Sequence, residues 1–153
     1  MLKIEEFEMI RTLTILSMRD ARREFATKRS DLALISIVGA DESPPEWISN
    51  AAESFSMRFD DVEDSLSDAG IPDENSTRGL GEFVENLKSE NLAVHCLAGI
   101  SRSAGVAAAL NERFGLGMRI WSDGRYDPNP LAYEATKREL EAAAKGKRKK
   151  GGG

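Results

Sequence analysis

The sequence predicts an α/β fold built on a central, mainly parallel sheet flanked by helices. Two observations lead there. Short runs of β-branched and aliphatic residues alternate along the chain with segments whose apolar residues recur at helical spacing. Two of those runs, residues 32–38 (LALISIV) and 91–95 (NLAVH), are apolar almost throughout, as expected of strands covered on both faces. With 153 residues, 41% of them hydrophobic, the chain can build one core of ordinary size.

In chain order, residues 12–18 (TLTILSM) read as the first strand. Residues 19–27 follow as a short helix, with Ala21 and Phe25 four apart on one face. After the strand at 32–38, residues 39–45 (GADESPP) have the composition of a loop. Residues 46–53 suggest a helical turn with Trp47 and Ile48 facing inward, and residues 54–59 (SFSMRF) alternate like a strand. An acidic loop carries Asp60, Asp61, Glu63, Asp64 and Asp68, and Ile71-Pro72-Asp73 marks a turn. Leu80, Phe83, Val84 and Leu87 predict an amphipathic helix over 77–88. The strand at 91–95 leads to an Ala-rich helix over 101–114, with Val106 and Leu110 on one face. The loop Asp127-Pro-Asn-Pro130 opens a last helix at 133–144. A single domain is expected over 1–144, with 145–153, basic and then all glycine, as a disordered tail.

Composition narrows the function classes. A net charge of −5 argues against a general nucleic-acid binder. The longest apolar runs, 32–38 and 105–110, are far too short to cross a membrane, and Lys3, Glu5, Glu6 and Glu8 do not read as a signal peptide. One cysteine cannot form an internal disulfide, so a reducing, cytoplasmic setting is expected.

The segment that carries chemistry is 94–103, Val-His-Cys-Leu-Ala-Gly-Ile-Ser-Arg-Ser. A buried strand ends at His95, a short loop follows, and a helix begins near Ser101. The first N–H groups of a helix have no intrahelical partner and carry positive potential, so this junction suits an anion. Gly99 lets the loop curl into a nest of N–H groups formed by Leu97, Ala98, Gly99, Ile100, Ser101 and Arg102. Arg102 adds a planar fork that matches two phosphate oxygens. The same field favours the thiolate form of a cysteine at the position of Cys96, where it becomes a nucleophile at the floor of an anion cradle. Ser103 offers a hydroxyl to that sulfur, and His95 lies where it can brace the loop from beneath. A Cys–Gly–Arg pattern in a strand–loop–helix setting is far more specific than a lone buried cysteine.

The pattern His-Cys-x-x-Gly-x-x-Arg-Ser at 95–103 resembles the signature of the protein tyrosine phosphatase superfamily. The small size of the chain is similar to its compact dual-specificity branch, with microbial and phage members. Outside 94–103 the resemblance is limited to Phe59-Asp60-Asp61, the helix before the signature strand, and Asp127-Pro-Asn-Pro130. The resemblance implies a cysteine phosphatase that works without metal or other cofactor, through a phosphocysteine, on phosphotyrosine and also phosphoserine or phosphothreonine in proteins. Its partner is then a phosphorylated protein or another phosphomonoester. Arsenate reductases and sulfurtransferases share such a cradle, but this chain lacks the further cysteines of the former, and the latter usually lack the Gly-x-x-Arg-Ser ending. The alternative is a catalytically weak module that binds phosphorylated partners.

The implied mechanism also needs an aspartic acid on a loop upstream of the cysteine. Asp60, Asp61 and Asp64 lie 36, 35 and 32 residues before Cys96. A Phe-x-Asp pattern found in similar small phosphatases selects Asp61, the spacing in many dual-specificity members favours Asp64, and Asp60 ranks third. Asn129 reads as a cap or turn residue rather than one that orients water. Trp121 and Tyr126 read as packing residues rather than pocket walls.

Overall fold

The computed structural model describes residues 10–62, Pro72 and residues 74–151, the last five of these as backbone. Among these residues four strands form one wholly parallel sheet: β1 (Thr12–Leu16), β2 (Ala33–Val38), β3 (Ser54–Arg58) and β4 (Asn91–His95), in the order β1-β4-β2-β3. The apolar runs at 32–38 and 91–95 become the two central strands. All six residues of β2 are buried, as expected where both faces of the sheet are covered.

The pleat sends alternate residues to two cores. On one face Ile35, Ile37, Leu92 and Val94 pack with Phe59 and with residues of α3 (Leu80–Glu85), α4 (Arg102–Phe114) and α5 (Pro130–Gly151). On the other face Leu34 and Ala93 meet Phe25, Leu32, Trp47 and Ile48. Phe25 closes α1 (Met18–Glu24), and Trp47 sits in a 3₁₀ turn, Glu46–Asn50. The Phe25 and Trp47 rings stack at 6.2 Å, and Trp47 lies 5.2 Å from the His95 ring.

Local chemistry sets the helix limits. Ser17 caps α1 by accepting from the Asp20 N–H at 3.1 Å, so the helix starts at Met18, one residue before the sequence expectation. The helix expected over 77–88 is broken: α2 (Glu74–Thr77) and α3 are separated at Gly79, whose φ of 88° is left-handed and cannot continue a right-handed helix. The last helix starts at Pro130, not Tyr133, because proline suits the first helical position and Asn129 caps it, accepting from the Ala132 N–H at 2.9 Å. It also continues to Gly151, through residues expected to be a disordered tail. Lys and Arg are good helix formers, and cations near a helix C-terminus complement its dipole. Among the described residues, no helix is long and apolar enough to cross a membrane.

Candidate active site

The candidate site lies at the carboxyl edge of the sheet, where loops leaving parallel strands gather. Register places the ends together: Leu16 of β1 pairs with His95 of β4, and Ser36 of β2 pairs with His95 from the other side. The loop from Cys96 to Ser101 therefore rises between the segment after β1 and the acidic segment after β3.

Neighbouring backbone holds that loop from outside. The Leu97 carbonyl accepts from the Met18 N–H at 3.0 Å, the Ile100 carbonyl from the Asp127 N–H at 2.9 Å, and the Ser101 carbonyl from the Asn129 N–H at 3.0 Å. In a trans peptide the carbonyl of one residue and the N–H of the next point opposite ways. Drawing these carbonyls outward thus turns the N–H groups of Ala98, Ser101 and Arg102 inward. Gly99 has a φ of 73°, and a Cβ there would lie 2.7–2.9 Å from the backbone of Leu16 and Ser17. Both the turn and the close approach to β1 exclude a side chain.

Cys96 is 2% exposed. Its sulfur lies 3.1 Å from Ser103 Oγ and accepts from the Gly99 N–H at 3.3 Å. The first turn of α4 follows. Ser101 does not cap that helix with its side chain, which leaves the leading N–H groups uncovered by a cap. Arg102 is nearly buried, its Nη1 donating to the Phe59 carbonyl at 3.0 Å. This anchor ties the guanidinium to the end of β3. Leu97 and Ile100 are 67% and 45% exposed and give the loop an apolar rim.

His95 is fully buried beneath the loop. Its Nε2 lies 2.6 Å from Ser36 Oγ and its Nδ1 3.3 Å from the Cys96 carbonyl. A carbonyl only accepts, so the pair is satisfied when Nδ1–H donates to it and Nε2 accepts from the Ser36 hydroxyl. Burial lowers the His95 pKa from 6.5 to about 4; the contact with the Cys96 carbonyl opposes this and the Arg102 charge adds to it. The ring is therefore neutral at pH 7. Since the folded pKa lies below the unfolded one, this contribution to stability is complete above pH 6.5 and falls as pH drops towards 4. Urea unfolding should show His95 removing about 2 kcal/mol between pH 7 and pH 5. His95→Gln, which cannot titrate, should lose that much less over the same interval. An equal acid loss in the variant would show that the imidazole is not the group responsible.

The structure separates the upstream aspartates. Asp60 turns away, its Oδ1 accepting from the Ala40 N–H at 3.0 Å beyond β2. Asp61 turns to the loop: its Oδ1 accepts from Ser101 Oγ at 2.7 Å and from Asn129 Nδ2 at 2.9 Å. Asp64 lies outside the described residues. Cys96, Ser103, Arg102, Ser101 and Asp61 are thus brought into one constellation. Trp121 is half exposed and packs edge-on against Tyr133 at 5.1 Å, while Tyr126 packs against the core.

Three partners had no distinctive signal in the sequence: Ser36 beneath His95, the Phe59 carbonyl behind Arg102, and the Asn129 amide beside Asp61. A serine in a central strand is the one feature that hinted at a buried polar contact. Among the described residues, no group of three or more His, Cys, Asp and Glu side chains could hold a metal ion.

Comparison with solved structures finds the fold in a known architecture. A crystal structure of PTPMT1 superimposes with a TM-score of 0.51 at 16% identity, over 91% of this chain and 96% of that one. The chain has the protein tyrosine phosphatase fold. A PTPMT1 structure in complex with PI(5)P gives 0.49 at 16% identity, over 88% and 94% of the two chains. Human DUSP28 gives 0.48 at 22% identity, over 88% and 95%. No family model matches the sequence, and no curated protein does. In this phosphatase fold, Cys96 occupies the junction of the last strand with the helix that follows it.

Proposed function

We propose that the protein is a cysteine phosphatase that hydrolyses phosphomonoesters through a phosphocysteine at Cys96. One observation carries this reading: the Cys96 sulfur lies at the floor of a braced loop that leads into the uncapped start of α4, within bonding distance of Ser103 Oγ and the Gly99 N–H.

In the first step the Cys96 thiolate attacks phosphorus, an S–P bond forms, and the bond to the leaving oxygen breaks. The Asp61 carboxyl gives that oxygen its proton. Both contacts on Asp61 fall on Oδ1, so Oδ2 is the oxygen that carries the proton. In the second step water attacks phosphorus, gives a proton to Asp61, and releases inorganic phosphate while the S–P bond breaks. The Ser103 hydroxyl supports the sulfur as its charge returns. The N–H groups of Ala98, Ser101 and Arg102 hold the non-bridging oxygens, and the Arg102 edge not tied to Phe59 clamps two of them. His95 supports the loop as a neutral brace.

Proteins phosphorylated on tyrosine, and on serine or threonine, are the substrates this site suits. The exposed Leu97 and Ile100 side chains give a phosphotyrosine ring an apolar surface. No cation stands between Cys96 and Ser101 to meet further phosphates. A lone active thiol suits a reducing compartment such as the cytoplasm.

The test is hydrolysis of para-nitrophenyl phosphate in chelator, with vanadate as competitor, followed by a phosphotyrosine peptide. Asp61→Asn should cost the peptide roughly 10²–10³-fold in kcat/KM, the scale of general acid catalysis. The nitrophenyl ester, whose leaving group needs little protonation, should lose far less. Equal losses on both substrates would remove Asp61 from the acid role. Vanadate binding without turnover of either substrate would make the protein a phosphate-binding module, and absence of both would end the phosphatase reading.

A further inference from the structure

Asn129 spends every polar group it has on one junction. Its backbone N–H donates to the Ser101 carbonyl at 3.0 Å, and its own carbonyl accepts from the Tyr133 N–H at 3.0 Å. Its Oδ1 accepts from the Ala132 N–H at 2.9 Å, and its Nδ2 donates to Asp61 Oδ1 at 2.9 Å and to the Val62 carbonyl at 2.8 Å. The cap fixes which way the amide points. With Oδ1 turned to an N–H donor, the amino group must face the two acceptors of the acidic segment.

The side chain is fully buried, and a Cβ on Gly105 of α4 would run into the Asn129 carbonyl, so helix and cap are pressed together. A closed ring results. Ser101 Oγ and Asn129 Nδ2 both reach Asp61 Oδ1, and Asn129 N–H reaches back to Ser101. A carboxylate on a loop has two side-chain torsions to lose before it can meet a leaving oxygen. Here two fixed donors restrain it, and both belong to rigid neighbours, the phosphate loop and the start of α5.

We propose that Asn129 is the positioning residue for the Asp61 acid, locking the Asp61 carboxylate to the phosphate loop through Ser101. The inference rests on the phosphatase reading above. The side-chain contacts of Asn129 are Asp61, Val62 and the Ala132 N–H, so Asn129 acts through the proton transfers of Asp61.

The experiment compares phenyl phosphate, a poor leaving group, with 2,4-dinitrophenyl phosphate, a good one, in Asn129→Ser and Asn129→Asp. Both changes keep an oxygen that can cap α5, and both remove the N–H groups that face Asp61 and Val62. The expected result is a loss of kcat/KM on phenyl phosphate of about 10–100-fold, the scale of a small misplacement of a reacting group. The kcat/KM of the dinitrophenyl ester, which reports only the steps through leaving-group departure, and the Kd for vanadate should stay within about threefold, because neither needs a proton from Asp61. In an Asp61→Asn background, Asn129→Ser should cost phenyl phosphate nothing further. Equal losses of kcat/KM on the two esters, weakened vanadate binding, or full additivity with Asp61→Asn would overturn the proposal by showing that Asn129 only supports the loop. A wild-type chain that turns over neither ester would remove the phosphatase reading itself, and the clamp with it; turnover that depends on Cys96 keeps the two failures apart.

Discussion

Cys96→Ser should abolish turnover of para-nitrophenyl phosphate, by roughly 10⁵-fold or more, the scale seen when a catalytic nucleophile is removed. The fold should survive. The substituted atom stays within reach of Ser103 Oγ and the Gly99 N–H, which lie 3.1 and 3.3 Å from the sulfur and can satisfy a hydroxyl. Urea denaturation should therefore place the variant within about 1 kcal/mol of wild type, as for a polar atom that keeps its partners. Vanadate should bind where phosphate binds, since the N–H nest and Arg102 are untouched. Mass spectrometry of wild-type protein quenched in acid during turnover should find one phosphate on Cys96, and none in the variant. Turnover above a hundredth of the wild-type rate in Cys96→Ser would mean another nucleophile.

The second large effect is expected at Arg102. Arg102→Lys keeps a cation, yet kcat/KM should fall by roughly 10³-fold, about 4 kcal/mol of transition-state stabilisation. The reason is geometric. Arg102 spends Nη1 on the Phe59 carbonyl at 3.0 Å, and its planar group can still present a second edge to two phosphate oxygens. A lysine ammonium is a point charge on a flexible stem: tied to Phe59 it loses the phosphate, and released it loses its placement. Steady-state kinetics and vanadate affinity check this together, and both should drop. A lysine variant with more than a tenth of wild-type kcat/KM would show that charge alone is used. Because Arg102 is nearly buried, the variant should also unfold at lower urea than wild type.

The strands and most helices were legible because their signals are local. The runs at 32–38 and 91–95 are apolar throughout, and the structure makes them the two middle strands of a parallel sheet. The helix over 77–88 was misread for a reason the pattern hides: Leu80, Phe83, Val84 and Leu87 keep their spacing, but Gly79 enters with positive φ and the helix begins only after it. The last helix began three residues earlier than expected because an Asn-Pro pair is a turn signal in isolation and a cap with its first helical residue once an N–H lies within reach.

The sequence by itself determined the α/β class, the parallel sheet and the strand–loop–helix that brings together Cys96, Gly99, Arg102 and Ser103. These residues sit within eight positions of one another, and their geometry follows from local rules of strand ends and helix starts. Only the tertiary structure showed that Asp61, and not Asp60, turns to the loop. Adjacent residues in an extended segment point to opposite sides, and which side meets the site depends on partners far along the chain. Asp60 finds Ala40, 20 positions back; Asp61 finds Ser101, 40 positions ahead, and Asn129, 68 ahead. A hydrogen bond leaves no periodicity in a sequence, so contacts at such separations emerge only once the sheet and its helices have packed.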